Sequence, residues 1–185
     1  MQLWTKQVGR TGAVAAATLL VLWCAGCTAA DRKNNPEIDA NRIPERDDIV
    51  QIIQYWPQDP WLYNGPRVVG FKAPVYFVSG QTQKGAFVPG TIFVWVYRLH
   101  RTQPHQPPER ELAHVWQFNK REASNFRVTK RAIGGYYYGF PLRWPDDLRL
   151  EGQRIELQIG YERLDKVVIL GTARQFKVPE PYNPY

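Results

Sequence analysis

Residues 154–163 read RIELQIGYER. Ile155, Leu157, Ile159 and Tyr161 occupy every second position, and Arg154, Glu156, Gln158 and Glu162 occupy the positions between. A period of two belongs to a β-strand, whose successive side chains point to opposite faces. The stretch therefore predicts a strand with one apolar face turned to a core. Leu164-Asp165-Lys166 follows as a turn, and KVVILGTARQFKVP (166–179) returns beside it as the last strand. The inward register slips near Gly171, which marks a bulge there.

The same pattern extends toward the N-terminus. ELAHVWQF (111–118) places Leu112, His114, Trp116 and Phe118 on one face. TIFVWVYRL (91–99) is apolar on both faces, as a central strand must be. VVGFKAPVYFVS (68–79) is a further strand, with Pro74 at a bend or an edge. DDIVQIIQYW (47–56) is β-branched and stops before Pro57, which favours strand over helix. FRVTKRAI (126–133) and YYYGFPLRW (136–144) add one or two more. About seven short strands and no amphipathic helix predict an all-β domain. It would be a single antiparallel β-sandwich, immunoglobulin-like in the broad sense, over residues 47–179 with a tail at 180–185. With 185 residues, the chain is long enough to bury a core without disulfide staples.

The first 27 residues have a different character. MQLWTKQVGR carries Lys6 and Arg10 and no acid, TGAVAAATLLVLW (11–23) is apolar, and CAGC (24–27) closes the segment. A basic start, a short apolar run and small residues at its end form an export signal. A dozen apolar residues fall short of the roughly 20 that a spanning helix needs. Both cysteines of the chain, Cys24 and Cys27, lie in this segment. A structural zinc site needs four ligands, and a redox CxxC sits beside a βαβ pattern that is absent here.

Ala25-Gly26-Cys27 resembles the lipobox of bacterial lipoproteins, although Cys24 stands where that family usually has Leu. The resemblance implies a signal peptide over 1–26, cleavage after Gly26 and a diacylglyceryl group on the Cys27 sulfur. The new amine would carry a further acyl chain such as palmitate. Thr28 is not the Asp that resembles an inner-membrane retention signal. The implied location is the cell envelope, at the outer membrane or the periplasmic face. TAADRKNNPEIDANRIPER (28–46) has no aromatic residue and only two isoleucines, so residues 27–46 are expected to be a flexible tether. PGTIFVWVYRL (89–99), residues 139–163 and FKVP (176–179) together resemble an uncharacterised family of envelope lipoproteins from planctomycete-type bacteria. Those motifs are structural and imply no activity.

Composition narrows the partners. The net charge of +7 falls to +5 once Lys6 and Arg10 are removed. So mild a basic bias suits an anionic membrane surface. Lys130 and Arg131 near Tyr136 imitate a nucleic-acid surface, but export argues against a nucleic-acid partner. No GxSxG, Ser/His/Asp arrangement or P-loop occurs, and no cofactor and no enzyme activity are expected. A metal site would recruit His100 and His105 with Glu109 or Glu111, but their spacing matches no ligand motif. His114, between Leu112 and Trp116, reads as half-buried. A metal-assisted hydrolase would need the histidine site, and Asp146 and Asp147 would suit a glycoside hydrolase only if they faced together. Adjacent strand residues do not, so after Pro145 they read as a turn.

The aromatic residues leave one alternative to a structural or protein-interaction role, a glycan-binding module. Tyr136, Tyr138, Phe140, Leu142 and Trp144 alternate as a core stripe, which leaves Tyr137 facing out. Trp56, Trp61 and Tyr63 lie in WPQDPWLY (56–63). Tyr137 and Trp61 are the expected ligand or partner contacts.

Overall fold

The computed structural model describes residues 43–100, 106–132 and 134–181. Tyr161 decides how its two layers meet. It lies in β9 (Arg154–Glu162), where Ile155, Leu157, Ile159 and Tyr161 are all buried, as the alternation requires. β9 pairs on one side with β5 (Thr91–His100), which pairs in turn with β6 (Glu109–Phe118). On its other side lie β10 (Val168–Leu170) and β11 (Arg174–Lys177). The last predicted strand is thus divided. Between the pairs Leu170–Gly160 and Arg174–Leu157, β9 contributes two residues and the returning chain three. That extra residue is the bulge expected at Gly171, and it leaves Ile169 and Phe176 both partly buried against the core although their positions differ in parity.

The second sheet has β3 (Arg67–Ser79) at its centre, between β1 (Ile49–Gln54) and β8 (Gly135–Arg143). β2 (Trp61–Asn64) and the two-residue β4 (Gly85–Ala86) also pair with β3, and β7 (Arg127–Ala132) pairs with β8. Two sheets packed face to face make an all-β sandwich, as expected, but with eleven strands among the described residues instead of about seven. Strands of two to four residues are too short to display a period. The pairing is antiparallel except at Gly85–Gly135 and at the isolated bridge Glu45–Phe87, which are parallel.

Three expectations are corrected. Pro74 lies in the central strand, not at an edge or bend. Its carbonyl accepts from Tyr55 N at 3.0 Å, on the side where β1 has already ended, so the missing proline N–H leaves no ladder acceptor empty. Leu112 does not share a face with His114, Trp116 and Phe118. The β5–β6 register passes from Val96–His114 to Tyr97–Leu112, so Ala113 bulges and packs on the core while Leu112 turns to solvent. One helical turn, α1 (Lys120–Ser124), joins β6 to β7. Asn119 caps it by accepting from Glu122 N at 3.1 Å, and the Glu122 carboxylate accepts from Asn119 N at 2.9 Å.

No cysteine lies between residues 43 and 181, and aromatic rings join the sheets instead. Phe77 on β3 meets Tyr161 on β9 at 5.5 Å, Phe140 on β8 meets Phe118 on β6 at 5.4 Å, and Phe71 on β3 meets Trp116 on β6 at 5.7 Å. Such pairs add about 0.5–1.5 kcal/mol each beyond the area they bury.

Candidate functional site

Ile43, four positions before residue 47, is already buried. The entering segment PERDD (44–48) is fastened by its acids. Glu45 takes Lys120 Nζ at 2.8 Å and also pairs with Arg127. Asp47 Oδ1 accepts from the Tyr161 hydroxyl at 3.0 Å, and that hydroxyl accepts from Gly90 N at 3.3 Å. Asp48 Oδ2 accepts from Ser79 Oγ at 2.7 Å and Gln81 N at 2.9 Å. Burial and the Asp47 carboxylate push the Tyr161 phenol well up, so it stays a donor at physiological pH.

Glu45 and Gly90 stand in the wall of a cleft of about 660 Å³ at the end of the sandwich where β5 begins and β6 and β9 end. Its floor is the Arg127 side chain, 5% exposed, with the guanidinium carbon 4.7 Å from the centre of the Phe87 ring. Lys120 and Arg121 come from α1, and Arg163, Leu164 and Lys166 from the turn between β9 and β10. The lining thus holds five cations against two carboxylates, Glu45 and Glu162. The turn is the one expected from Leu164-Asp165-Lys166, closed by Arg163 N to Val167 O at 2.9 Å and by Lys166 N to Arg163 O at 3.1 Å. Lys166 sits at φ 70°. At its tip Leu164 is 65% and Val167 50% exposed.

Two of these carboxylates set an acid limit on stability. For Glu45, burial acts to raise the pKa, but the hydrogen bonds from Lys120 and Arg127 outweigh it and hold the group below its ordinary 4.5. Asp48 is held below its ordinary 3.8, chiefly by the hydrogen bonds from Ser79 and Gln81. A depressed carboxyl contributes its full stabilisation above the ordinary value and loses it as pH falls through the lowered one. The urea midpoint is therefore expected to fall as pH drops from about 4.5 through the region below 3.8. Asp48→Asn should lower the midpoint at neutral pH and make the acid decline shallower. A decline as steep as the parent's would refute the assignment.

The residues singled out from sequence are not brought together. Cys24, Ala25, Gly26, Cys27 and His105 lie outside the described residues. His100 Nε2 is 2.7 Å from Glu111 Oε2, and Arg98 Nη1 is 3.4 Å from Glu111 Oε1, all on the β5–β6 hairpin. The hydrogen bond with His100 holds the Glu111 carboxyl below its usual range. Glu109 is exposed opposite His100 in the strand register. Among the described residues no group of three or more His, Cys, Asp or Glu is placed to hold a metal ion. His114 is half-buried, edge-on to Trp116 at 4.5 Å, and its pKa is lowered by burial against an opposing pull from Asp147. Asp146 and Asp147 occupy a turn closed by Leu148 N to Pro145 O at 3.0 Å.

Trp61 is corrected as a contact residue. It is 9% exposed and set edge-on against Phe176 at 5.9 Å, because β2 folds it under β11. Trp144 is buried as well, and Trp56 packs on the core against Phe71 and Phe176. Tyr137 does lie on the outer face, half-buried. It stacks on Tyr76 at 5.0 Å, and Tyr76 meets Tyr55 edge-on at 5.3 Å. The other two tyrosines of this trio come from β3 and from the end of β1, so only the pairing of strands could assemble them.

No family model matches the chain, and no curated protein matches it. A crystal structure of MtrC from Shewanella baltica OS185 aligns at a TM-score of 0.41 and 10% identity, over 73% of this chain. The aligned part spans 23% of the MtrC chain.

Proposed function

We propose that this chain is an exported, lipid-anchored protein of the cell envelope whose β-sandwich is a non-catalytic structural or protein-interaction module. One observation carries the reading. Both cysteines stand in the apolar leader, Cys27 directly after Ala25-Gly26, while the sandwich, in which Ile43 is already buried sixteen positions later, has none among its described residues. Such a thiol has no partner in the domain and is suited to carry lipid. Two or more acyl chains are needed for a stable anchor, since each buried CH2 contributes about 0.8 kcal/mol and one chain holds only marginally. Residues between Cys27 and Ile43 serve as the tether, and the outer membrane or the periplasmic face is the proposed location.

Mass analysis of the protein expressed in a bacterial host tests this. The expected N-terminus is Cys27 carrying diacylglycerol and an amide-linked acyl chain, recovered in the membrane fraction. A chain that retains Met1, or one cut elsewhere, overturns the proposal.

The Tyr55–Tyr76–Tyr137 cluster favours a second reading, a glycan-binding module in which exposed rings stack on sugar faces. Retention on insoluble cell-wall polysaccharide that Tyr137→Ala abolishes would select it, and no retention would remove it. A metal-assisted hydrolase draws no support from the described residues.

A further inference from the structure

We infer that the cleft end of the sandwich is a docking surface for an anionic lipid leaflet, its cations taking headgroup phosphates while the tip of the β9–β10 turn enters the headgroup layer. The inference builds on the anchored reading above and adds the face that meets the membrane and the lipid chemistry it selects.

Three observations converge on this end of the molecule. The first is charge. Lys120, Arg121, Arg163 and Lys166 surround the cleft above the buried Arg127. Glu45 is held by Lys120 and Arg127, Glu162 by Lys166 at 2.7 Å, and Asp165 by Arg163 at 3.1 Å. The Lys166 and Arg163 pairs are at least partly open to water, and exposed pairs of this kind are weak and readily exchanged for phosphate oxygens. Arg121 has no acidic partner among the described residues, and Arg163 has a buried Nε without a hydrogen-bond acceptor.

The second is apolar exposure at the same place. Leu164 lines the cleft and is more exposed than any other large apolar side chain of the described residues, and Val167 follows it on the turn. Aliphatic side chains standing beside cations are the arrangement by which proteins lie on a membrane surface. A cleft built for a soluble anion has no use for them.

The third is position. The chain enters the sandwich through Glu45, in the wall of this cleft. A tether of sixteen residue steps from Cys27, as proposed above, would span about 22 Å root mean square. An anchored domain therefore meets the leaflet within reach of the cleft, and tethering raises the local lipid concentration for even a weak contact.

The test uses the full chain, purified in neutral detergent and reconstituted into phosphatidylcholine nanodiscs with or without phosphatidylglycerol. An environment-sensitive dye is placed by Leu164→Cys or, at the end of β2 beside the start of β3, by Asn64→Cys. The expected result is a blue shift at position 164 with phosphatidylglycerol only, and none at position 64. Arg121→Gln with Lys166→Gln should lower the docked-to-undocked ratio about 25-fold, at about fivefold for each basic side chain near an anionic leaflet. Lys72→Gln with Arg154→Gln, away from the cleft, should leave the ratio unchanged. Equal shifts in both lipids, equal shifts at both positions, or equal losses in both double variants would overturn the inference. So would loss of the blue shift on adding inorganic phosphate at matched ionic strength, which would make the cleft a site for soluble phosphate. Dye response and N-terminal mass are read on the same preparation. An unmodified Cys27 also takes the dye, so the signal of the parent chain labelled in the same way is subtracted; a shift that remains at position 164 then removes the anchor and keeps the docking face, and an acylated Cys27 with a silent dye does the reverse.

Discussion

Replacing Phe77 by alanine is expected to destabilise the domain by about 3–5 kcal/mol. Phe77 is fully buried at the middle of the sandwich, with Tyr138 of its own sheet and Tyr161 of the opposite sheet both at 5.5 Å. Truncation removes the ring's transfer free energy and leaves a cavity. The aromatic neighbours cannot close it, because the Tyr138 hydroxyl is held by Val88 N and the Tyr161 hydroxyl by Gly90 N and Asp47. Total stability of a domain is about 5–15 kcal/mol, so the loss takes a large part of it. Urea unfolding followed by tryptophan fluorescence should show a much lower midpoint with an unchanged slope. Val50→Ala, on an exposed residue of β1, should move it by no more than about 0.5 kcal/mol. Similar midpoints for the two variants would show that Phe77 does not couple the sheets.

The second large effect is expected at Gly70, which pairs with Arg143 where β3 lies beside β8. A Cβ there would lie 2.0 Å from the Leu142 carbonyl oxygen and 2.8 Å from the Arg143 Cα. Both obstacles are backbone in a paired strand, so relief requires β3 and β8 to move apart and their ladder to break. Gly70→Ala should therefore cost about 3 kcal/mol, the upper end of ordinary overpacking. Gly65→Ala is the informative comparison. Gly65 has φ 58° and nothing within 4 Å of its would-be Cβ, so only the left-handed backbone penalty of about 1 kcal/mol applies. If Gly65→Ala were the more damaging of the two, close strand approach would not be what glycine serves at position 70.

The strands legible in the sequence were those long enough to repeat their period, of which β9 is the clearest. β5 was recognisable as central because it is apolar on both faces, and it does lie between β6 and β9. Bulges were half legible. Gly171 announced itself by a parity slip, whereas the bulge at Ala113 left the alternation of residues 111–118 intact on paper and exchanged Leu112 for Ala113 in the core. Tyr137 was legible as outward-facing, but its stacking on Tyr76 was not, since strand partners some sixty residues apart leave no local trace. Trp61 misled because a large ring in a proline-rich segment looks the same whether it is exposed or folded under β11. The cleft was hidden for a related reason. Its cations come from residues 120–127 and 163–166, and its acidic wall from residue 45, so no single window of sequence holds the whole of it. The Asn119–Glu122 capping pair was the one local signal near it, pointing to the helical turn that carries Lys120 and Arg121.

The meeting of Phe77 with Tyr161 also has a consequence in time. The two residues are 84 positions apart in the chain. At about 5–20 residues per second, ribosomal synthesis separates their appearance by roughly 4–17 s. During that interval only β5 and β6 of the facing sheet exist to cover β3, and β5 lacks β9, the neighbour that completes its pairing. The sandwich therefore cannot close from its N-terminal side alone: the contact that joins its two layers at Phe77 waits for β9, the ninth strand in chain order.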